Sequence, residues 1–178
     1  DLVEKYRLSK VARIVPGGET GQDSICAGLK AAAELAPPEE QIVLIHDGVR
    51  PLINEKTISD CIQSVKDHGS AITVAPAIET IIRVNDERQV QEVIERADCL
   101  MARAPQCFYL AEILKAHDNA IRENKHDFID SASIMKYYGH SLSVVEGPVE
   151  NIKITTPMDF YTFRALFEAR ESSQLFGV

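Results

Sequence analysis

The stretch Ile42-Val43-Leu44-Ile45-His46-Asp47-Gly48-Val49-Arg50-Pro51 decides how this chain folds. Its opening run is apolar and mostly β-branched, which predicts a short strand buried on both faces. The character changes after Ile45: an acid, a glycine and an arginine follow in quick succession, and Pro51 stops any regular continuation. In open α/β sheets, ligands collect just beyond the carboxyl ends of the strands. Asp47 and Arg50 would stand there, so the reaction centre is expected there. Taken alone, the same residues also fit a plain turn in which Asp47 caps the next element.

Upstream, Val11 to Val15 reads as a strand ended by Pro16-Gly17-Gly18. Glu19 to Gln22 form a polar loop, and Asp23 or Ser24 can cap a helix. Ile25, Gly28, Leu29, Ala32 and Leu35 recur at helical spacing, and Pro37-Pro38 closes the helix. Strand, loop, helix and strand make the βαβ pattern of a parallel sheet.

Downstream, a helix is expected from about Glu55 to Asp67 with Ile58, Cys61, Ile62 and Val65 inward, ended by Gly69. Ala71 to Ala75 gives another strand. From 79 to 108 the pattern becomes β-like, with runs at Ile81–Val84 and Gln89–Ile94 around the turn signal Asn85-Asp86-Glu87. An excursion of this kind buries little alone, so it predicts cover from a second subunit and hence a dimer.

Leu110, Ile113, Leu114, His117 and Ile121 mark a third helix, on which His117 reads as a satisfied packing residue. Asp130 caps a further helix containing Ile134 and Tyr138, ended by Gly139. Leu142–Val145 reads as a strand and Gly147-Pro148 as a turn. Asn151 to Thr156 is expected to return as a short strand. Thr156 would cap the last helix and Pro157 would open it. The stripe Phe160, Phe163 and Phe167 is expected to be core.

A length of 178 residues, with 45% apolar and 26% charged, suits one soluble domain. A net charge of −8 argues against a nucleic-acid footprint. No apolar run approaches a membrane span, and no signal-peptide pattern opens the chain. Cys26, Cys61, Cys99 and Cys107 show no metal-ligand spacing and read as reduced cytoplasmic thiols. The chain starts at Asp1, with no strand and glycine-rich loop before Val11, and is therefore expected to be a fragment.

Three features carry chemistry. Gly17 to Ser24 precedes a helix N-terminus, where exposed N–H groups favour anions, although a plain helix start reads the same way. It is neither a Walker A loop nor G-x-G-x-x-G, which removes a nicotinamide-dependent oxidoreductase from consideration. Lys153 lies between Ile152 and Ile154 and could neutralise phosphate oxygens or simply face solvent. Arg96 and Arg103 read more readily as solvated charges. Together, Asp47, Arg50, Lys153 and the glycine-rich loop suit a phosphate-bearing substrate with a divalent metal. No nucleophile–base pair points to acyl transfer. In-line phosphoryl or nucleotidyl transfer needs mainly positioning and charge neutralisation.

Gly17-Gly18-Glu19 with Asp23-Ser24-Ile25, His46 to Pro51, Ala104-Pro105-Gln106-Cys107-Phe108, Asp130-Ser131-Ala132 and Asn151 to Asp159 occur in this order. With these blocks the chain resembles the 2-C-methyl-D-erythritol 4-phosphate cytidylyltransferases and the related ribitol-5-phosphate cytidylyltransferases, from Val11 to about Leu166. The resemblance implies an α/β, Rossmann-like nucleotidyltransferase sheet in a three-layer αβα arrangement. It implies one domain over 1–178, with 79–108 as a protruding β-arm for homodimerisation. It also implies transfer of CMP from CTP to a polyol phosphate with magnesium and release of pyrophosphate, in the cytoplasm.

By position, Gly18, Glu19 and Ser24 look like cytosine and ribose contacts, and Gly48 lies on the nucleotide side. Asp47 looks like the residue near the metal and substrate. Arg50 and Thr80 look like polyol-phosphate contacts, and Arg96 like a contact given across the dimer. Lys153 looks like the cation that stabilises the reacting phosphates.

Three departures stand against the resemblance. The family's N-terminal signature loop, with its Arg and Lys, is absent, so this polypeptide alone is expected not to turn over CTP. Ala104 and Ile129 replace threonines of the erythritol-phosphate enzymes, which leaves the polyol open between an isoprenoid precursor and a cell-surface polymer precursor. His46 to Arg50 looks nearer the ribitol-phosphate side. The rival reading is a non-catalytic dimeric module that keeps only the polyol-phosphate half of the cleft.

Overall fold

The computed structural model describes residues 2–176. Its order is α1 (Leu2–Lys5), α2 (Gly21–Ala33), β1 (Ile42–Ile45), α3 (Glu55–His68), β2 (Ser70–Pro76), β3 (Ile81–Val84), β4 (Val90–Ile94), β5 (Leu100–Tyr109), α4 (Leu110–Arg122), α5 (Ser131–Tyr137), β6 (Val144–Glu146) and α6 (Pro157–Phe176). The fold is α/β. Four strands form a sheet in the order β1-β5-β2-β6, and β3-β4 form a separate two-stranded sheet. The run from 79 to 108 therefore divides: β3 and β4 leave the main sheet, and β5 belongs to it. The chain forms two compact units. One holds residues up to Val43 with Phe108–Ser141, and the other holds Leu44–Cys107 with Leu142 onward.

In the first unit, α2 packs against α4, and α4 against α5. Leu110, Ile113 and Ala120 of α4 are fully buried, as is Ile134 of α5 to within 1%. The leucine and the two isoleucines contribute roughly 1.5–3 kcal/mol each on burial. α2 begins earlier than expected. Thr20 is its N-cap and Asp23 closes a capping box from the third helical position, because the threonine hydroxyl and the aspartate can satisfy each other's backbone N–H groups. The buried face of α2 is Gln22, Cys26 and Leu29, whereas Leu35 is 53% exposed and lies beyond the helix.

Two expectations fail here. Val11 to Val15 forms no strand; its apolar side chains Val11, Ile14 and Val15 stay exposed, and no neighbouring strand takes up its backbone groups among the described residues. Strand β1 is half-buried at every position instead of buried on both faces.

His117 is buried at 2% exposure, as expected of a packing residue. It is not satisfied, however: neither ring nitrogen has a hydrogen-bond partner, and the neighbouring Ser131 hydroxyl is equally unpartnered. Both line a cavity of about 10 Å³ with Gln22, Ile25, Phe128, Asp130 and Ile134.

In the second unit, α3 packs on β2 and β6. Asn54 caps α3, and Gly69 ends it with φ +83°, a conformation that favours glycine. Its buried face is Thr57, Cys61 and Val65. Strand β2 is buried from Ser70 to Ala75 and pairs parallel with β6, with Ile72 opposite Val144. The β3-β4 hairpin is antiparallel, with a register shift at Arg83/Val84.

Two more expectations fail in this unit. Asn151 to Thr155 is not a strand; it is held by single hydrogen bonds described below. The aromatic stripe of α6 is not core: Phe160 and Phe167 are 50% and 43% exposed. The rings of Phe160, Phe163 and Phe167 contact one another in series. Among the described residues, no helix is long and apolar enough to cross a membrane.

Candidate active site

The site is built where β1 ends. The backbone N–H of Arg50 donates to the Asp47 carbonyl at 3.0 Å, which folds Asp47 to Arg50 into a tight turn. His46 Nε2 lies 2.8 Å from the Arg50 carbonyl oxygen, so this histidine braces the turn. Gly48 is exposed, and a Cβ there would meet nothing within 4 Å. The turn thus presents bare backbone at Gly48 and directs two side chains inward.

Arg50 is the better buried of the two, with its side chain 12% exposed against 36% for Asp47. Its Nε donates to Asp47 Oδ2 at 2.9 Å, and its Nη1 donates to the Asn151 carbonyl at 3.0 Å. Lys153 arrives on that same segment, with Nζ 3.6 Å from Asp47 Oδ2. One carboxylate oxygen therefore faces two cations. The second unit brings together three residues that the sequence pattern singled out.

The segment bearing Lys153 is fixed from several sides. The Asn151 N–H donates to the Pro148 carbonyl at 3.1 Å, and the Ile154 N–H to the Val49 carbonyl at 2.9 Å. Asn151 is 1% exposed, and its Nδ2 donates to the Ala104 carbonyl at 3.4 Å. Arg103, on β5, donates from Nη1 to the Val149 carbonyl at 2.8 Å. Burial, and next the like charge of Arg50, push the Arg103 guanidinium below its ordinary value. Sequence reasoning misses this role for Arg103 because a lone arginine in a β-run looks like a solvated charge. The only signal is that it directly precedes Ala104-Pro105-Gln106.

Thr80 is exposed in the loop before β3. Arg96 lies beyond β4 and donates from Nη1 to the Ile78 carbonyl at 3.2 Å. Arg96, Ile78, Glu95 and Leu100 line an open groove of about 520 Å³.

The glycine-rich loop belongs to the first unit. The Gly18 N–H donates to Ser24 Oγ at 3.0 Å, and that hydroxyl donates to the Thr20 carbonyl at 2.9 Å. Ser24 thus braces the loop from inside the helix. A Cβ on Gly18 would lie 2.3 Å from Asp23 Cβ, so only glycine permits this close approach. The Asp23 carboxylate is held below its ordinary value, first by the Thr20 hydroxyl and further by His126, against the opposing effect of burial. Glu19 is exposed beside it. Of the replaced threonines, Ala104 is buried at 6% in the second unit, and Ile129 is 95% exposed in the first.

Among the described residues, no group of three or more His, Cys, Asp or Glu is placed to hold a metal. A single carboxylate such as Asp47 suits magnesium, which keeps water ligands and takes further oxygens from substrate phosphates. It does not suit a closed protein cage.

Residues 1–169 match the family model of 2-C-methyl-D-erythritol 4-phosphate cytidylyltransferase (IspD). The ribitol-5-phosphate cytidylyltransferase of Streptococcus agalactiae serotype V is 53% identical over 178 residues, covering 100% of this chain and 74% of that protein. The 2-C-methyl-D-erythritol 4-phosphate cytidylyltransferase of Syntrophus aciditrophicus is 36% identical over 172 residues, covering 96% and 71%. Among solved structures, the 4-diphosphocytidyl-2C-methyl-D-erythritol synthase of Anaerococcus prevotii superposes with a TM-score of 0.81 at 26% identity, covering 93% of this chain and 76% of that one.

Proposed function

The chain belongs to the 2-C-methyl-D-erythritol 4-phosphate cytidylyltransferase family, and from that premise we propose that it transfers CMP from CTP to ribitol 5-phosphate. Its class is nucleotidyltransferase, and CTP-dependent transfer to a polyol phosphate is the activity its relatives share by name. The choice of ribitol 5-phosphate rests on the higher identity to the ribitol enzyme, 53% against 36%.

In the proposed reaction a phosphate oxygen of the polyol attacks the α-phosphorus of CTP. The bond from that phosphorus to the bridging oxygen breaks, and pyrophosphate leaves. Such in-line transfer depends on alignment and on neutralising charge across the phosphates. Lys153 supplies a compact cation to those oxygens. Asp47 holds Lys153 and Arg50 in register and is the side chain that would hold magnesium. Magnesium, when bound, would neutralise triphosphate charge and orient it. Arg50 uses Nε and Nη1 within the protein, and its remaining edge is assigned to the polyol phosphate with Thr80. Gly18, Glu19, Ser24 and Gly48 are assigned to the nucleotide. Arg96 is assigned to the substrate of a second subunit in a homodimer.

The observation that carries the reading is the 3.6 Å approach of Lys153 to Asp47, beside Arg50. The test is pyrophosphate release by the full-length protein with CTP and magnesium, offered ribitol 5-phosphate or 2-C-methyl-D-erythritol 4-phosphate. Preference for ribitol 5-phosphate is expected. Preference for the erythritol phosphate would overturn the acceptor, and binding without release from either would favour the non-catalytic module.

A further inference from the structure

We propose that Arg103 is a positioning residue: it clasps the 148–151 turn from β5 and thereby sets where Lys153 stands over Asp47. This rests on the proposed function for Lys153. The support is geometric. Nη1 of Arg103 donates to the Val149 carbonyl at 2.8 Å, and the Pro148 and Asn151 carbonyls lie at 3.5 Å from the same nitrogen. Arg50 reaches the Asn151 carbonyl from the other end of the turn at 3.0 Å. Two guanidinium groups therefore converge on one stretch of carbonyl oxygens just before Lys153.

The clasp is one of a few separate bonds that hold this segment. The segment forms no strand, so no ladder of backbone bonds fixes its register. Its other anchors are the Arg50 bond to the Asn151 carbonyl, the bond from Ile154 to Val49, the Asn151 side chain on Ala104, and the Asp159 carboxylate, which accepts from the Thr155 and Thr156 N–H groups. The Asn151 anchor is incomplete, because its buried Oδ1 has no hydrogen-bond partner. Arginine suits this position because its planar fork carries five donors and it keeps its charge even when partly desolvated. Lysine would offer a point charge on a flexible stem. The Lys153 side chain is 48% exposed, so its location depends on the backbone that carries it. Misplacing a catalytic group by about 1 Å can cost roughly a hundredfold in rate.

The experiment uses the full-length protein with Arg103→Ala and Arg103→Lys. Three readouts are taken: steady-state kinetics with CTP and ribitol 5-phosphate, thermal melting, and the acetylation rate of each lysine by mass spectrometry. In Arg103→Ala, kcat should fall by about tenfold or more with KM for CTP little changed, as expected for a displaced catalytic group. Acetylation of Lys153 should change severalfold while that of Lys66 on α3 stays constant, and Arg103→Lys should recover part of both effects.

Unchanged Lys153 acetylation in Arg103→Ala would overturn the clasp. A uniform rise at every lysine with a large drop in melting temperature would also overturn it, by making Arg103 a general fold residue. A selective change at Lys153 with kcat intact would leave the clasp standing and overturn the catalytic reading of Lys153.

Discussion

The Lys153 ammonium stands 3.6 Å from the Asp47 carboxylate, on an oxygen already bonded to Arg50 at 2.9 Å. Residues distant in sequence meet because the turn after β1 and the segment before α6 are stitched together. Arg50 bonds the Asn151 carbonyl, and Ile154 bonds the Val49 carbonyl. The pair is partly solvated, so its direct contribution to stability is small, ~1 kcal/mol or less. Its value lies in placement.

That split gives the first prediction. Lys153→Ala in the full-length protein should lower kcat by about 10²–10³, the range seen when one preorganised charge-stabilising group is removed. Its melting temperature should stay close to that of the parent. Asp47→Asn should also lower turnover, with a rise in the magnesium concentration needed for half-maximal rate. Near-normal turnover in Lys153→Ala would make it a surface charge.

The glycine-rich loop gives the second. Gly18→Ala forces a Cβ to within 2.3 Å of Asp23 Cβ, so the loop must shift away from the first turn of α2. The KM for CTP should rise with little change in melting temperature. Removing the cap itself, as in Thr20→Ala, should cost about 1 kcal/mol of stability, readable in urea unfolding. If Gly18→Ala binds CTP as the parent does, this loop does not touch the nucleotide.

Much of this is legible in the residues, for reasons that differ by element. Helix α3 is readable to within a residue because a helical apolar period and a terminating glycine agree, and the structure adds an Asn54 cap. Asp47, Arg50 and Lys153 are readable because charge placed against apolar flanks is unusual. The Val11–Val15 and Asn151–Thr156 segments mislead because alternating apolar residues signal a strand only where a neighbour accepts the pairing. The stripe of α6 misleads because helical spacing shows which side chains share a face, and says nothing about what covers that face. The bonds of Arg103 are hard to read because its partners are backbone carbonyls, and its one mark in the sequence is its place directly before Ala104-Pro105-Gln106.

A third prediction concerns the proposed homodimer. If Arg96 serves the neighbouring subunit, Arg96→Ala and Asp47→Ala proteins should each be nearly inactive alone. Mixed after partial unfolding and reassembly, they should regain activity, because each mixed dimer rebuilds one intact site from the two wild-type copies. The recovered rate should scale with the fraction of mixed dimers measured by native mass spectrometry. No recovery despite mixed dimers would confine the site to one subunit.

The last prediction turns on His117. Burial holds its pKa below the ordinary 6.5, with Asp118 and Asp23 opposing that shift and Lys30 adding to it. The folded state therefore resists protonation that the unfolded state accepts, and the unfolded state binds more protons as pH falls below 6.5. Stability from a neutral His117 is then fully present above that pH and is lost as pH falls toward the folded value. Neither ring nitrogen has a hydrogen-bond partner, so Asp118 and Asp23 offset only part of the cost of a buried charge. In urea titrations at about pH 8, 6.5, 5.5 and 5, which bracket the unfolded value, the parent should weaken progressively on the acid side. His117→Leu removes this group, so its unfolding midpoint should decline less steeply across the same range, whatever its stability at the alkaline end. Parallel pH profiles for parent and variant would show that His117 does not control the acid limb.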